Sequence, residues 1–301
     1  MLRLVLTFSL LVSAGLAAPL QAGQASRCAD VTPQARPQNT PQAFVGRTLD
    51  DITASGTIEF ALYEQNPPYS AEVDGKPQGV DVDVGALIAD KLGLKPSFRL
   101  VAAGENLDAD LLNYVWKGAV VGGHVSDVLM RVPYNESYAC RVDQVFFTGQ
   151  YAAETIAIAY DRAHFDGEAP TPAYFRYDTV GVENDSISDF YLTDLVGGQA
   201  EAKIRRYRSA TAAMTALQNN EVSSVMGARS QLAAALTPGL ALHEPPLPGL
   251  ATARWTLGIA VHTSHHDLGY AVDGIIEDAL ARGEIAKIYT KHGLTFTPPE
   301  R

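Results

Sequence analysis

The sequence predicts an α/β fold in two lobes, and two observations lead there. With 301 residues, 47% hydrophobic and 19% charged, the chain can bury one large core or two moderate ones. Apolar runs of strand length alternate with amphipathic runs of helix length, as in a mostly parallel sheet with covering helices. The alternation is plainest in TIEFALY followed by GVDVDVGALIADKLGL, and again in SATAAMTALQNNEVSSVMGARSQLAAAL.

TLDDITASG reads as a short helix whose glycine leads into the strand 57–63. Asp74 and Gly75 form a tight turn, and Asp81 to Leu92 is a helix with Val84, Leu87, Ile88 and Leu92 on one face, stopped by Gly93. Lys95-Pro96 blocks further helix, so SFRLVAAG is the second strand. LLNYVWKG is a helix with Leu111, Leu112, Val115 and Trp116 inward; a glycine-rich break and a strand from Val125 to Met130 follow. RVPYNESYACRVD reads as a loop, and VFFTGQYAAETIAIAY as two strands interrupted at Thr148-Gly149. DTVGVENDSISDFYLTDL is strand, polar turn and helix; WTLGIAVHTS is a strand. YAVDGIIEDALARGEIAKIYTKHG closes the chain as two helices split at Gly283.

Met1 to Ala18 carries Arg3, an apolar run and small residues suited to cleavage near Ala18 or Ala22, so residues 1–22 read as a signal peptide and the mature protein as periplasmic. The run is shorter than the roughly 20 residues that a membrane span needs. Residues 23–46, rich in Pro, Gln and Thr, form an N-terminal arm. Cys28 and Cys140 are the only cysteines, and in an exported chain they allow one intramolecular disulfide; two unpaired thiols are the alternative. A net charge of −11 argues against nucleic acid, and RRYR at 205–208 reads as a solvated strand edge. No Gly-x-Ser-x-Gly, HExxH or P-loop motif occurs, and HTSHH reads as an exposed loop rather than a metal site.

The order of strand, NPPYS turn, hairpin return through Gly79, acidic helix start and Leu-Gly exit resembles the opening of the extracellular solute-binding proteins of family 3, the polar amino-acid binders. The resemblance covers roughly residues 47–294 and implies a periplasmic-binding-protein type II fold, with a mixed sheet in each lobe and a ligand cleft between them. It places lobe I at 47–154 plus 248–301 and lobe II at 155–247. In that family an arginine ten residues before the tyrosine of the hinge strand holds the ligand α-carboxylate. RVDQVFFTGQY gives Arg141 this place, and a guanidinium matches a carboxylate with a fixed fork of donors. Asn66 stands where the family stacks an aromatic residue on the ligand, so Tyr63 or Tyr69 is expected to replace it. Asp185, Ser186 and Ser188 align with a stretch that caps ligand carboxylates at a helix start. Ala228 stands where the family has the aspartate that pairs the ligand ammonium group. The MRVPYNESY segment, with Arg131 and Tyr134, resembles solute-binding-like proteins associated with periplasmic quinoprotein dehydrogenases.

The expected function is capture of a small anionic organic solute, amino-acid-like or an organic acid, by a monomer that delivers it to the permease of an ABC importer. No cofactor, metal or catalysis is expected. Two alternatives stay open: an accessory protein of a quinoprotein dehydrogenase, and a cyclohexadienyl dehydratase-like enzyme using Glu64 or Glu183 as its acid.

Overall fold

The computed structural model describes residues 28, 31–33, 45–121, 123–194, 198, 200–250 and 252–300. The expected signal peptide lies outside them, as does most of the expected arm. Helix α1 (Leu49–Ser55) starts at a capping box formed by Thr48 and Asp51, and ends at Gly56 with φ 69°. Strand β1 (Thr57–Tyr63) pairs in parallel with β4 (Lys95–Val101) and β5 (Val128–Tyr134). Between them lie the hairpin β2 (Ala71–Val73) and β3 (Lys76–Gln78), turned at Asp74 and Gly75, and helix α2 (Val80–Lys91). The chain enters α2 through Gly79 at φ 136°, where a Cβ would lie 2.1 Å from the Tyr69 carbonyl oxygen, so only glycine fits the turn.

Four consecutive stretches differ from expectation. The helix before the glycine-rich break is α3 (Leu107–Leu111), which widens into a π-helical turn over Leu112–Trp116. Strand β5 starts three residues after Val125 and runs through Arg131 to Tyr134, because β11 (Arg254–His262) pairs alongside Val132 to Tyr134. The expected loop after it is helix α4 (Glu136–Arg141), capped by Asn135, whose side chain accepts from Tyr138 N. Finally, β6 (Val145–Asp161) is one continuous strand; Thr148-Gly149 is not a break but the start of a bulge opposite Leu257 and Ile259.

The long strand β6 joins two sheets. Its first part, through Thr155, pairs with β11 and completes the order β4-β1-β5-β11-β6. From Ile156 onward it pairs with β9 (Ser224–Ala228), which leads to β7 (Val180–Glu183) and β8 (Ile204–Tyr207); β10 (Leu240–His243) flanks its other side. Both sheets are mixed, since β11 runs antiparallel to β5 and β6, and β6 runs antiparallel to β9. Arg205 and Arg206 are exposed on β8 at the sheet edge, as RRYR suggested.

Helices cover both sheets: α2, α8 (His266–Ala281) and α9 (Glu284–Lys291) on the first, and α5 (Ile187–Asp194), α6 (Ala210–Gln218) and α7 (Arg229–Ala234) on the second. Phe60, Ile88, Tyr151, Val272 and Ile276 centre one core; Ile158, Phe175, Val182 and Leu192 centre another beyond the β6 crossing. HTSHH is not an exposed loop. His262 and His265 are buried, and His265 Nε2 meets the Val45 carbonyl. Cys28 and Cys140 form a disulfide with Cα atoms 5.3 Å apart, closing a separation of 112 residues. No helix among the described residues is long and apolar enough to cross a membrane.

Candidate functional site: the cleft between the lobes

Where β6 crosses from one sheet to the other, a buried polar cluster forms the floor of a cleft. Its centre is Arg131, held at φ 59° by an extra residue on β5 between the pairs Leu129–Ala260 and Val132–Gly258. This bulge turns the guanidinium inward, where Nε and an Nη lie 2.6 and 3.0 Å from the two carboxylate oxygens of Asp81 on α2. The Tyr151 hydroxyl donates to Asp81 at 2.9 Å, and the Tyr69 ring lies under the guanidinium, 3.2 Å from its carbon to the ring centroid. Tyr69 in turn donates to Glu154 of β6. Burial alone lowers the Arg131 pKa, but Asp81 and the neighbouring tyrosines outweigh it and hold the guanidinium charged. Burial also pushes the hydroxyls of Tyr69 and Tyr151 well up, reinforced by Glu154 and Asp81 respectively, so both remain donors.

The lower part of the cleft, about 350 Å³, is lined from one side by Tyr63, Asn66, Tyr69, Asn106 and Asp110 around Arg131. Tyr63 donates to Asp110 at 2.8 Å and Gly104 N donates to it at 2.6 Å, yet burial still raises the Asp110 carboxyl. The upper part, about 160 Å³, is lined by Glu183, Ser186, Ser188, Met226 and Gly227. Ala228, Gln231 and Trp255 line both parts, which are therefore one cleft. Gln231 of α7 reaches across it and donates to Asn66 Oδ1 at 3.0 Å.

No family model and no curated protein matches the chain. Among solved structures, an ancestral cationic amino acid solute-binding protein superposes with a TM-score of 0.66 at 17% identity, covering 81% of this chain and 98% of that one. The fold is that of the two-lobed solute-binding proteins. An amino acid ABC transporter substrate-binding protein from Streptococcus pneumoniae, bound to L-arginine, gives 0.61 at 16% identity, with 83% and 100% coverage. The solute receptor for L-cysteine of Neisseria gonorrhoeae gives 0.57 at 19%, with 82% and 93%. Identities this low speak for the fold alone.

Within this solute-binding fold, the candidates from the sequence divide into two groups. Tyr63, Asn66, Tyr69 and Arg131 line the lower part, Ser186 and Ser188 the upper, and Ala228 both. Tyr134, Arg141 and Asp185 line neither. Arg141 sits exposed on the last turn of α4, 5.5 Å from the Tyr138 ring, beside a disulfide that ties this helix to residue 28. Asp185 is exposed and donates its backbone N–H to Asp189. Ser186 caps its own helix by accepting from Asp189 N at 3.2 Å, and the Asp189 carboxylate at the helix start is held by Arg206 at 2.9 Å. The start of α5 thus already carries a side-chain cap and a carboxylate of its own. Glu64, the other acid candidate beside Glu183, is exposed and outside the cleft lining.

Sequence reasoning missed Asp110, Glu154, Gln231 and Trp255. Glu154 had a legible signal, as a single acid within the apolar run YAAETIAIAY of a strand read as buried. The others had none, since their roles depend on how the sheets meet. Among the described residues, no group of three or more His, Cys, Asp or Glu side chains is placed to hold a metal ion.

Proposed function

We propose that the protein is a periplasmic solute-binding protein, capturing a small polar solute between lobe I (47–154 with 248–301) and lobe II (155–247) and delivering it to the permease of an ABC importer as a monomer. The observation that carries this reading is the continuous cleft at the β6 crossing, lined from both sides and floored by a rigid polar cluster. Such a site is concave, largely preformed and supplied with a few convergent polar groups. The two-lobed fold suits closure on a ligand by rotation about the crossing strands. The anionic solute expected from the sequence has less support, because Arg141 lies outside the cleft lining and Arg131 is already paired with Asp81.

One observation favours a second reading, a dehydratase-type enzyme. Glu183 lies in the cleft with its carboxyl raised by burial, which suits a general acid. Nothing in the cleft bears on the quinoprotein accessory role.

The test is a thermal-shift screen of the full exported protein against organic acids, amino acids, amines and polyols, followed by calorimetric titration. A cognate solute at a hundred times its Kd adds about 2.7 kcal/mol, or about 5–10 °C in a protein of this size. No shift from any class at millimolar concentration would refute the binding role; turnover of a bound hydroxy acid would favour the enzyme.

A further inference from the structure

The charges that line the cleft are mostly negative. Asp110, Glu154 and Glu183 face it, against one cation, Arg131, which Asp81 already neutralises in a two-pronged pair. In the upper part, Glu183 ends β7 and makes no ion pair among the described residues. Of the arginines on neighbouring elements, Arg206 is paired with Asp189 at 2.9 Å and Arg229 with Glu244 at 2.9 Å, and neither lines the cleft. Burial raises the Glu183 carboxyl, opposed only by the backbone N–H of Ala210. Ser188, on the same cavity, is 1% exposed, and its Oγ has no hydrogen-bond partner. A buried hydroxyl without a partner is costly, and that cost is recovered when a ligand supplies the bond. Trp255, Met226 and Ile156 supply apolar wall, which favours an organic cation over a hydrated ion.

We propose that Glu183 and Ser188 seat the ammonium group of the ligand, and that the ligand is a small organic amine without a carboxylate, such as an amino alcohol or a diamine. This rests on the solute-binding reading. Glu183 supplies the counter-charge that Ala228, at the end of β9, does not, and Ser188 Oγ accepts a further N–H. A carboxylate on the same ligand would find no free guanidinium in the cleft lining and would face Asp110 and Glu154.

Calorimetric titration of the full protein at pH 7.5 tests this with ethanolamine and 1,4-diaminobutane, their diol counterparts ethylene glycol and 1,4-butanediol, and the anions glycolate and succinate. The amines are expected to bind, and Glu183→Gln to weaken them about tenfold or more. Ser188→Ala provides a second arm should the glutamine variant fail to fold. It is expected to leave the ligand-free Tm unchanged or higher while weakening amine binding severalfold. Amine affinity unchanged in the folded variants overturns the assignment. Binding of diols or anions with the amines silent also overturns it and leaves the solute-binding reading standing, whereas silence of every probe removes support from both.

Discussion

Replacing Arg131 by methionine tests whether the cluster under the cleft is a structural floor. Arg131 is 7% exposed and Asp81 1% exposed, so Arg131→Met leaves a carboxylate buried with only the Tyr151 hydroxyl at 2.9 Å to hold it. Breaking one side of a buried pair costs about 3–5 kcal/mol, most of it the penalty of the stranded charge. Losing the guanidinium from the desolvated Tyr69 ring adds about 2 kcal/mol. The expected fall in Tm is roughly 10–28 °C. Denaturant unfolding of Arg131→Met, Asp81→Leu and the double variant closes a thermodynamic cycle. The double variant is expected to regain at least about 2 kcal/mol relative to the sum of the single changes, because an apolar pair strands no charge. Additive losses, or a single-variant loss under about 1 kcal/mol, would show that Asp81 is hydrated or otherwise paired, and that Arg131 is a free ligand anchor.

Two further predictions concern regions away from the cleft. Reducing Cys28–Cys140, or replacing both by serine, is expected to cost about 4–5 kcal/mol in the chain-entropy model for a loop of this length, and denatured unreduced protein should show no thiol to a labelling reagent; two thiols would refute the bond. His262 is held neutral by burial, with its neighbour His265 adding to the effect, and its pKa falls to about 4. The unfolded chain, near pH 6.5, then binds more protons, so this residue's contribution to stability is complete above about pH 6.5 and is lost as pH falls towards about 4. His262→Gln should flatten the stability profile in that window, and an unchanged slope would rule out His262 as its source.

The fold was largely legible because its evidence is local. Gly79, the Asp74-Gly75 turn and Gly56 at the end of α1 each act within a few residues, and the burial of β1 and α2 follows their apolar spacing. The site was legible only in part, because its geometry is set by register between distant strands. A one-residue bulge on β5 decides that Arg131 turns inward, and nothing in RVPYNESY announces it. The Arg141-to-Tyr151 spacing pointed to a guanidinium that does not line the cleft, since the helix capped by Asn135 carries Arg141 onto an exposed turn. The strand β5 was read short because its pairing partner, β11, lies some 125 residues further along, at Thr256 to Gly258.

The cleft also separates groups that can contribute affinity from groups that cannot. Glu154 accepts from Tyr69 on one side and from Ser230 N, at 3.2 Å, on the other, so one carboxylate on the crossing strand ties the turn of the first lobe to the start of α7. Asn66 and Gln231 are likewise already bonded to each other across the cleft. A solute that contacts these residues exchanges an existing hydrogen bond for a new one, and the net gain is small. Ser188 Oγ starts without a bond, and Glu183 starts desolvated without a cation, so contacts there are not exchanges. In the proposed binding role the floor therefore sets shape and rigidity, while selectivity resides in the upper wall. Substitutions at Asn66 or Gln231 should shift the balance between open and closed lobes more than they change which solute is chosen.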